Sequence, residues 1–317
     1  MDEKKDKKRQ EKEFEPDLSV DLAGIVLKNP VLAASGPFGY GHEYGELTNF
    51  KDLAGIIVKG VSLEPWPGNS PPRISETPAG MLNAVGLQNP GLRNFIKEDL
   101  PRLRNCGLRL IVNVVGCTMD EYAGVACGLA GEVGIDGLEL NISCPNIKAG
   151  GMAFGTDPAA TRQVVEAVRR ETKLPLLVKL SPNVADIGIM ARAAEEAGAD
   201  GISLINTLSG MLINTADKKP LLGNTFGGLS GPAIMPVALK MVWQAAEAVK
   251  IPVLGMGGIT TADDALQFIM AGARAVAIGT GLFYNPELAT VIKTGLERYL
   301  KKEGLLNLDQ LEGIARS

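Results

Sequence analysis

The chain has 317 residues, 45% of them apolar and 21% charged, with a formal charge of −4. That balance belongs to a folded globular protein, and the slight acidity argues against nucleic acid as the main partner. No apolar run approaches the ~20 residues that cross a bilayer, and the charged start Met1-Asp2-Glu3-Lys4-Lys5 predicts no signal peptide, so a cytoplasmic protein without a membrane partner is expected.

Met1–Pro16 holds six basic and six acidic side chains and is predicted to be a charged flexible tail, with one domain over Asp17–Ser317. From Asn29 onward, short apolar β-branched runs alternate with segments of helical period. The predicted strands are Pro30–Ser35, Gly55–Lys59, Leu108–Val115, Asp136–Ser143, Pro175–Leu180, Asp200–Thr207, Pro252–Gly257 and Arg274–Gly279. Helices are predicted over Arg93–Asn105, Met119–Gly131, Asp157–Thr172, Val184–Ala197, Pro232–Val249, Ala262–Ala271 and Pro286–Leu300. Asp157-Pro158 reads as an N-cap with a first-turn proline, and Gly198 and Gly272 read as left-handed caps.

Strands that are apolar throughout, rather than alternating, indicate a parallel sheet covered by helices. Eight of them predict an α/β fold, a single (β/α)8 TIM barrel with its site at the carboxyl ends of the strands; an open doubly wound sheet is the alternative. Three connections leave from that face and are too long for turns: Gly60–Leu92, Pro145–Thr156 and Leu208–Gly231. They read as site-building loops or lids.

Few residues are available for proton chemistry. His42 is the single histidine. Cys106, Cys117, Cys127 and Cys144 contain no C-x-x-C pair and read as reduced thiols. Gly39-Tyr40-Gly41-His42-Glu43-Tyr44-Gly45 is one residue too long for a dinucleotide fingerprint, so no nicotinamide site is expected.

The strand ends form an unusual ring. Ser35 ends the first predicted strand and Lys59 the second. Asn113 lies on the third and Asn141 on the fourth, with Cys144 after it. Lys179 lies on the fifth, Ile205-Asn206-Thr207 ends the sixth, and glycines close the seventh and eighth. A lysine in a barrel mouth is costly unless an anion meets it. Neither Lys59 nor Lys179 has an acidic residue on its own predicted strand, which points to an anionic ligand or an electron-rich ring; snorkelling to the rim or pairing with a distant Glu are the alternatives. Asparagines at three strand ends suit a planar ligand rimmed with amide-like groups. Gly257-Gly258 and Gly279-Thr280 lie where such barrels hold a phosphate, with a following helix N-terminus to assist.

Ala34-Ser35-Gly36, Asn83-Ala84-Val85-Gly86-Leu87-Gln88-Asn89-Pro90-Gly91 and Asn141-Ile142-Ser143-Cys144-Pro145-Asn146 occur in that order, and with them the chain resembles the dihydroorotate dehydrogenases over about residues 18 to 300. Cysteine at 144 resembles the soluble class. Gly86-Leu87-Gln88-Asn89-Pro90-Gly91 and Phe38-Gly39-Tyr40-Gly41 resemble the NAD-linked class, IB, rather than the fumarate-using class, IA. The resemblance implies FMN as cofactor, held by Ser35, Lys59, Gly60, Asn113, Asn141, Lys179, Ile205, Gly231, Gly257, Gly258, Gly279 and Thr280. It implies dihydroorotate held by Lys59, Asn83, Ala84, Val85, Gly86, Leu87, Asn141, Asn206 and Thr207, with Cys144 as base and Lys59 assisting. It also implies a partner subunit carrying FAD and an iron–sulfur cluster, in a two-plus-two heterotetramer that passes electrons to NAD. Competing expectations are the fumarate-linked enzyme, an FMN-dependent tRNA dihydrouridine synthase, disfavoured by the acidic charge, and a non-catalytic barrel.

Overall fold

The computed structural model describes residues 14–41, 50–143 and 154–317. Met1–Glu13 of the predicted tail, His42 and Cys144 lie outside the described residues.

The strands in chain order are β1 (Val20–Leu22), β2 (Ile25–Leu27), β3 (Val31–Ala33), β4 (Gly55–Val61), β5 (Ile74–Thr77), β6 (Gly80–Asn83), β7 (Arg109–Val114), β8 (Gly137–Asn141), β9 (Leu176–Lys179), β10 (Gly201–Leu204), β11 (Leu208–Gly210), β12 (Ile213–Asn214), β13 (Lys219–Pro220), β14 (Gly227–Ser230), β15 (Val253–Met256) and β16 (Ala275–Ile278). Eight close into a parallel barrel in the order β10-β15-β16-β3-β4-β7-β8-β9, and these are the eight predicted from apolar runs. Their side chains are buried almost without exception, because helices cover the outside while the inside is filled.

Most helices match their expected spans. Asp157 caps the helix Pro158–Glu171 by accepting from the Ala160 N–H at 2.8 Å, and Gly198 and Gly272 both have positive φ where helices end. The predicted helix Arg93–Asn105 is instead three pieces: α over Leu92–Asn94, π over Phe95–Asp99 and α over Leu100–Leu103. Pro101 has no N–H to give to an i−4 carbonyl, so the ladder around it widens.

Three features were not in the sequence reading. The hairpin β1–β2 alternates buried and exposed residues and packs Ile25 and Ala23 against the amino-terminal end of the barrel, where Gly137 and Gly201 leave room. A four-stranded antiparallel sheet, β11-β14-β6-β5, is assembled from the connections after β4 and β10. Thus Gly60–Leu92 and Leu208–Gly231, expected as loops, contribute strands that pair across the carboxyl face, with Asn83 opposite Gly228. Finally, Ser35 does not end a strand but opens the short helix Ser35–Phe38. Among the described residues no helix is long and apolar enough to cross a membrane.

Candidate active site

A cavity of about 730 Å³ lies at the carboxyl ends of the barrel strands. Four neighbouring barrel strands, β7 to β10, carry its polar floor on one side. Parallel pairing sets Asn113 beside Glu139, Asn141 beside Lys179, and Lys179 beside Ser203. Because side chains two apart on a strand share a face, these five point into the barrel together.

They are joined head to tail. Asn206 donates to Ser143 Oγ, and Ser143 Oγ donates to Asn141 Oδ1 at 2.7 Å. Asn141 Nδ2 donates to Asn113 Oδ1 at 3.3 Å, and Asn113 Nδ2 donates to Glu139 Oε1 at 2.5 Å. Ser203 Oγ donates to Glu139 Oε2 at 2.8 Å, and Lys179 Nζ lies 3.5 Å from Oε1. Glu139 is fully buried and Lys179 is 5% exposed. Outside the barrel wall, the Tyr122 hydroxyl donates to the Asn141 carbonyl at 2.8 Å and fixes the end of β8.

Of the readings offered for Lys179, pairing with a distant Glu is the one seen: its partner is Glu139 of the neighbouring strand. Glu139 and Ser203 were missed by the sequence reading. The available signal was one acid in an otherwise apolar run, Gly137-Leu138-Glu139-Leu140, two residues before a predicted site asparagine.

Lys59 sits where β4 shifts register against β7, between Val58 and Val61. Such a bulge at a barrel rim re-aims a side chain, and Lys59 lines the cavity. A Cβ on the adjacent Gly60 would come within 3.2 Å of Asn113 Oδ1 and 2.9 Å of Val115. Across the barrel, Gly257 (φ +130°) and Gly258 (φ +79°) follow β15 with their backbone bared to the cavity. Gly279, Thr280 and Gly281 follow β16, and the Thr280 hydroxyl donates to Ser230 Oγ at 2.8 Å. The helix Ala262–Met270 after β15 carries its own Thr261–Asp264 capping box, and none of its residues borders the cavity. A four-residue helix, Gly281–Tyr284, borders the cavity instead.

The covering sheet supplies the roof. Asn83 Nδ2 donates to the Gly228 carbonyl at 3.2 Å, and Asn69 Nδ2 donates to the Ala84 carbonyl at 2.9 Å. The Thr207 N–H donates to Asn206 Oδ1 at 2.8 Å. Met81, Ser209, Asn224, Phe226 and Asn183 also line the cavity, and none of them was singled out from sequence.

Every predicted site residue in the described part borders this one cavity: Ser35, Lys59, Gly60, Asn83, Ala84, Val85, Gly86, Leu87, Asn113, Asn141, Lys179, Ile205, Asn206, Thr207, Gly231, Gly257, Gly258, Gly279 and Thr280. Cys144 lies outside the described residues. The donor set suits FMN. One side offers an ammonium and amides for a polar ring edge. Apolar Ile205, Ile234 and Met256 also line it, and the ends of β15 and β16 offer bare backbone, with the Thr280 and Ser230 hydroxyls, for a phosphate. Of the other cysteines, Cys106 and Cys117 are half-buried and Cys127 is exposed; burial pushes the Cys117 thiol up, with the Glu121 carboxylate adding to it. None of the three lines the cavity.

Fold and site together define a (β/α)8 barrel with one large cavity at the carboxyl ends of its strands, roofed by a four-stranded antiparallel sheet. The family model described as dihydroorotate dehydrogenase matches residues 17–300. The dihydroorotate dehydrogenase B (NAD(+)) catalytic subunit of Desulforudis audaxviator is 55% identical over 94% of this chain and 97% of its own. Its namesakes from Pelobacter propionicus and Thermoanaerobacter pseudethanolicus are 54% identical (95% and 99% covered) and 50% identical (93% and 98%). The chain belongs to the dihydroorotate dehydrogenase family.

Proposed function

We propose that this chain is the catalytic subunit of an NAD-linked dihydroorotate dehydrogenase, oxidising (S)-dihydroorotate to orotate in pyrimidine biosynthesis with FMN. The observation that supports it most is the convergence of separate sequence motifs, from the end of β3 through the end of β16, on one cavity with an ammonium-and-amide floor and a bare-backbone wall. When bound, FMN supplies the two-electron acceptor for the hydride lost from substrate C6.

The chain's own residues do the rest. Lys59 and the Asn83–Leu87 segment hold the substrate carboxylate and pyrimidine edge, with Asn141, Asn206 and Thr207 completing the frame. The amide chain fixes their orientation, so that positioning is established before the reaction. Ser35, Gly60, Asn113, Lys179, Ile205, Gly231, Gly257, Gly258, Gly279 and Thr280 hold the cofactor. Lys179 and Lys59 favour the negative charge that develops as electrons arrive. Cys144 takes the proton from C5. A free thiol has a pKa of about 8.5, near enough to neutrality to be tuned. The preceding residue, Ser143, is tied to Asn141 through both its N–H and its hydroxyl, which anchors the chain entering the base.

Electrons leave through a partner subunit carrying FAD and an iron–sulfur cluster, in a two-plus-two complex in the cytoplasm. An acceptor assay tests this. Dihydroorotate-dependent NAD⁺ reduction is expected only when the second subunit is added. Fumarate reduction by the isolated chain would refute the acceptor class, and NAD⁺ reduction by the isolated chain would refute the need for a partner.

A further inference from the structure

We infer that Glu139 is a positioning residue for the reaction: it orients the amides of Asn113 and Asn141 and holds the Lys179 ammonium, and through them it sets the reduction potential of the bound cofactor. The inference rests on the flavin reading above.

A carboxylate only accepts hydrogen bonds, whereas an asparagine side chain both donates and accepts and can be turned over. In the chain Asn206→Ser143→Asn141→Asn113→Glu139, every link runs in one direction and ends on Oε1. The terminal carboxylate is what decides that direction. With Glu139 in place, Asn113 must present its NH2 inward, so its oxygen faces Asn141, whose own NH2 is then committed as well. A fully buried acid with no such duty would be a net cost, and an apolar residue of that size would fill the space at least as well.

Glu139 also places a negative charge 3.5 Å from Lys179 Nζ, which lines the cavity while Glu139 itself does not. The carboxylate therefore tempers the positive field that the ammonium presents to a ligand. Removing its charge makes the cavity more favourable to an anionic, reduced ring relative to the oxidised one.

The test is Glu139→Gln in the flavin-loaded protein, read by redox titration beside thermal melting and FMN affinity. Gln keeps the volume and an acceptor oxygen but loses the charge and the acceptor-only character. The expected result is a reduced-to-oxidised affinity ratio raised about tenfold, which is a positive shift of about 30 mV for a two-electron couple. The KM for dihydroorotate should rise as well. Glu139→Asp keeps the charge and withdraws it by one methylene; it should shift the potential in the same direction by less than half as much. A purely structural role predicts a lower melting temperature with an unchanged potential. That outcome in folded, flavin-loaded E139Q, or in E139D should E139Q not fold, overturns the inference. Wild-type protein that binds no FMN refutes the functional reading and this inference with it; unchanged variants of a flavin-binding wild type refute the inference alone.

Discussion

Lys179→Met isolates the energetics of the barrel floor. Methionine approximates the lysine stem but removes the charge, leaving the Glu139 carboxylate fully buried with only Asn113 and Ser203 as donors. Across 3.5 Å, at an effective dielectric of about 20, the lost attraction is about 5 kcal/mol. Breaking one side of a buried pair costs about 3–5 kcal/mol in practice. Unfolding entropy of about 2.1 cal/mol/K per residue gives about 0.67 kcal/mol/K for 317 residues, so a loss of about 4 kcal/mol lowers the melting temperature by about 6 °C. The assay is calorimetric melting of flavin-free protein, so that lost ligand binding does not enter. Lys179→Met combined with Glu139→Gln removes both charges and should recover at least half of the loss, because no unpaired charge remains. A single variant that melts within about 1 °C of wild type, or a double variant that loses the sum of the two singles, refutes the reasoning.

Other outcomes follow from the same geometry. Cys144→Ser should abolish most turnover near neutral pH and recover part of it as pH rises, since serine is the weaker base; an unchanged rate would remove Cys144 from the reaction. Gly257→Ala sets a Cβ 2.8 Å from that of Ala238 at φ +130°, so stability should fall by about 1–3 kcal/mol and FMN affinity with it, both read by melting and fluorescence titration. Gly228→Ala drives a methyl into the Thr207 side chain under the lid sheet; KM for dihydroorotate should rise about tenfold while flavin stays bound. Burial raises the Asp52 carboxyl, but the Thr290 hydroxyl and the Lys293 ammonium outweigh it and hold its pKa below the usual value. A lowered folded pKa contributes stability above the unfolded value of about 3.9 and loses it as pH falls through the folded one. Asp52→Asn should thus cost up to about 1 kcal/mol at neutral pH and progressively less in acid, as denaturant titrations at several pH values would show.

The barrel was legible because its signals are local and repeated. Runs such as Ile56-Ile57-Val58 and Ala275-Val276-Ala277-Ile278 are apolar on both faces, and the helices between them carry a 3.6 period and recognisable caps. The lid sheet was not, because β6 and β14 are four residues each, rich in glycine, and paired across about 145 residues of chain; no local pattern announces such a partner. Much of the site was legible because chemistry-bearing residues stand at strand ends, where the barrel alone makes them converge. Glu139 was hidden by its neighbours: inside Leu138-Glu139-Leu140 it reads as an accident of a core strand, and only the register against Asn113 and Lys179 gives it partners. Ser203, inside Ile202-Ser203-Leu204, escaped notice for the same reason.

The most direct measurement is an anaerobic titration of the purified chain with dihydroorotate, following the visible absorbance. The purified chain should be yellow and should bleach stoichiometrically as orotate appears, and bleaching should be slow near neutral pH when Cys144 is replaced by serine. A colourless protein, or a yellow one whose absorbance dihydroorotate leaves untouched, would contradict the proposed function.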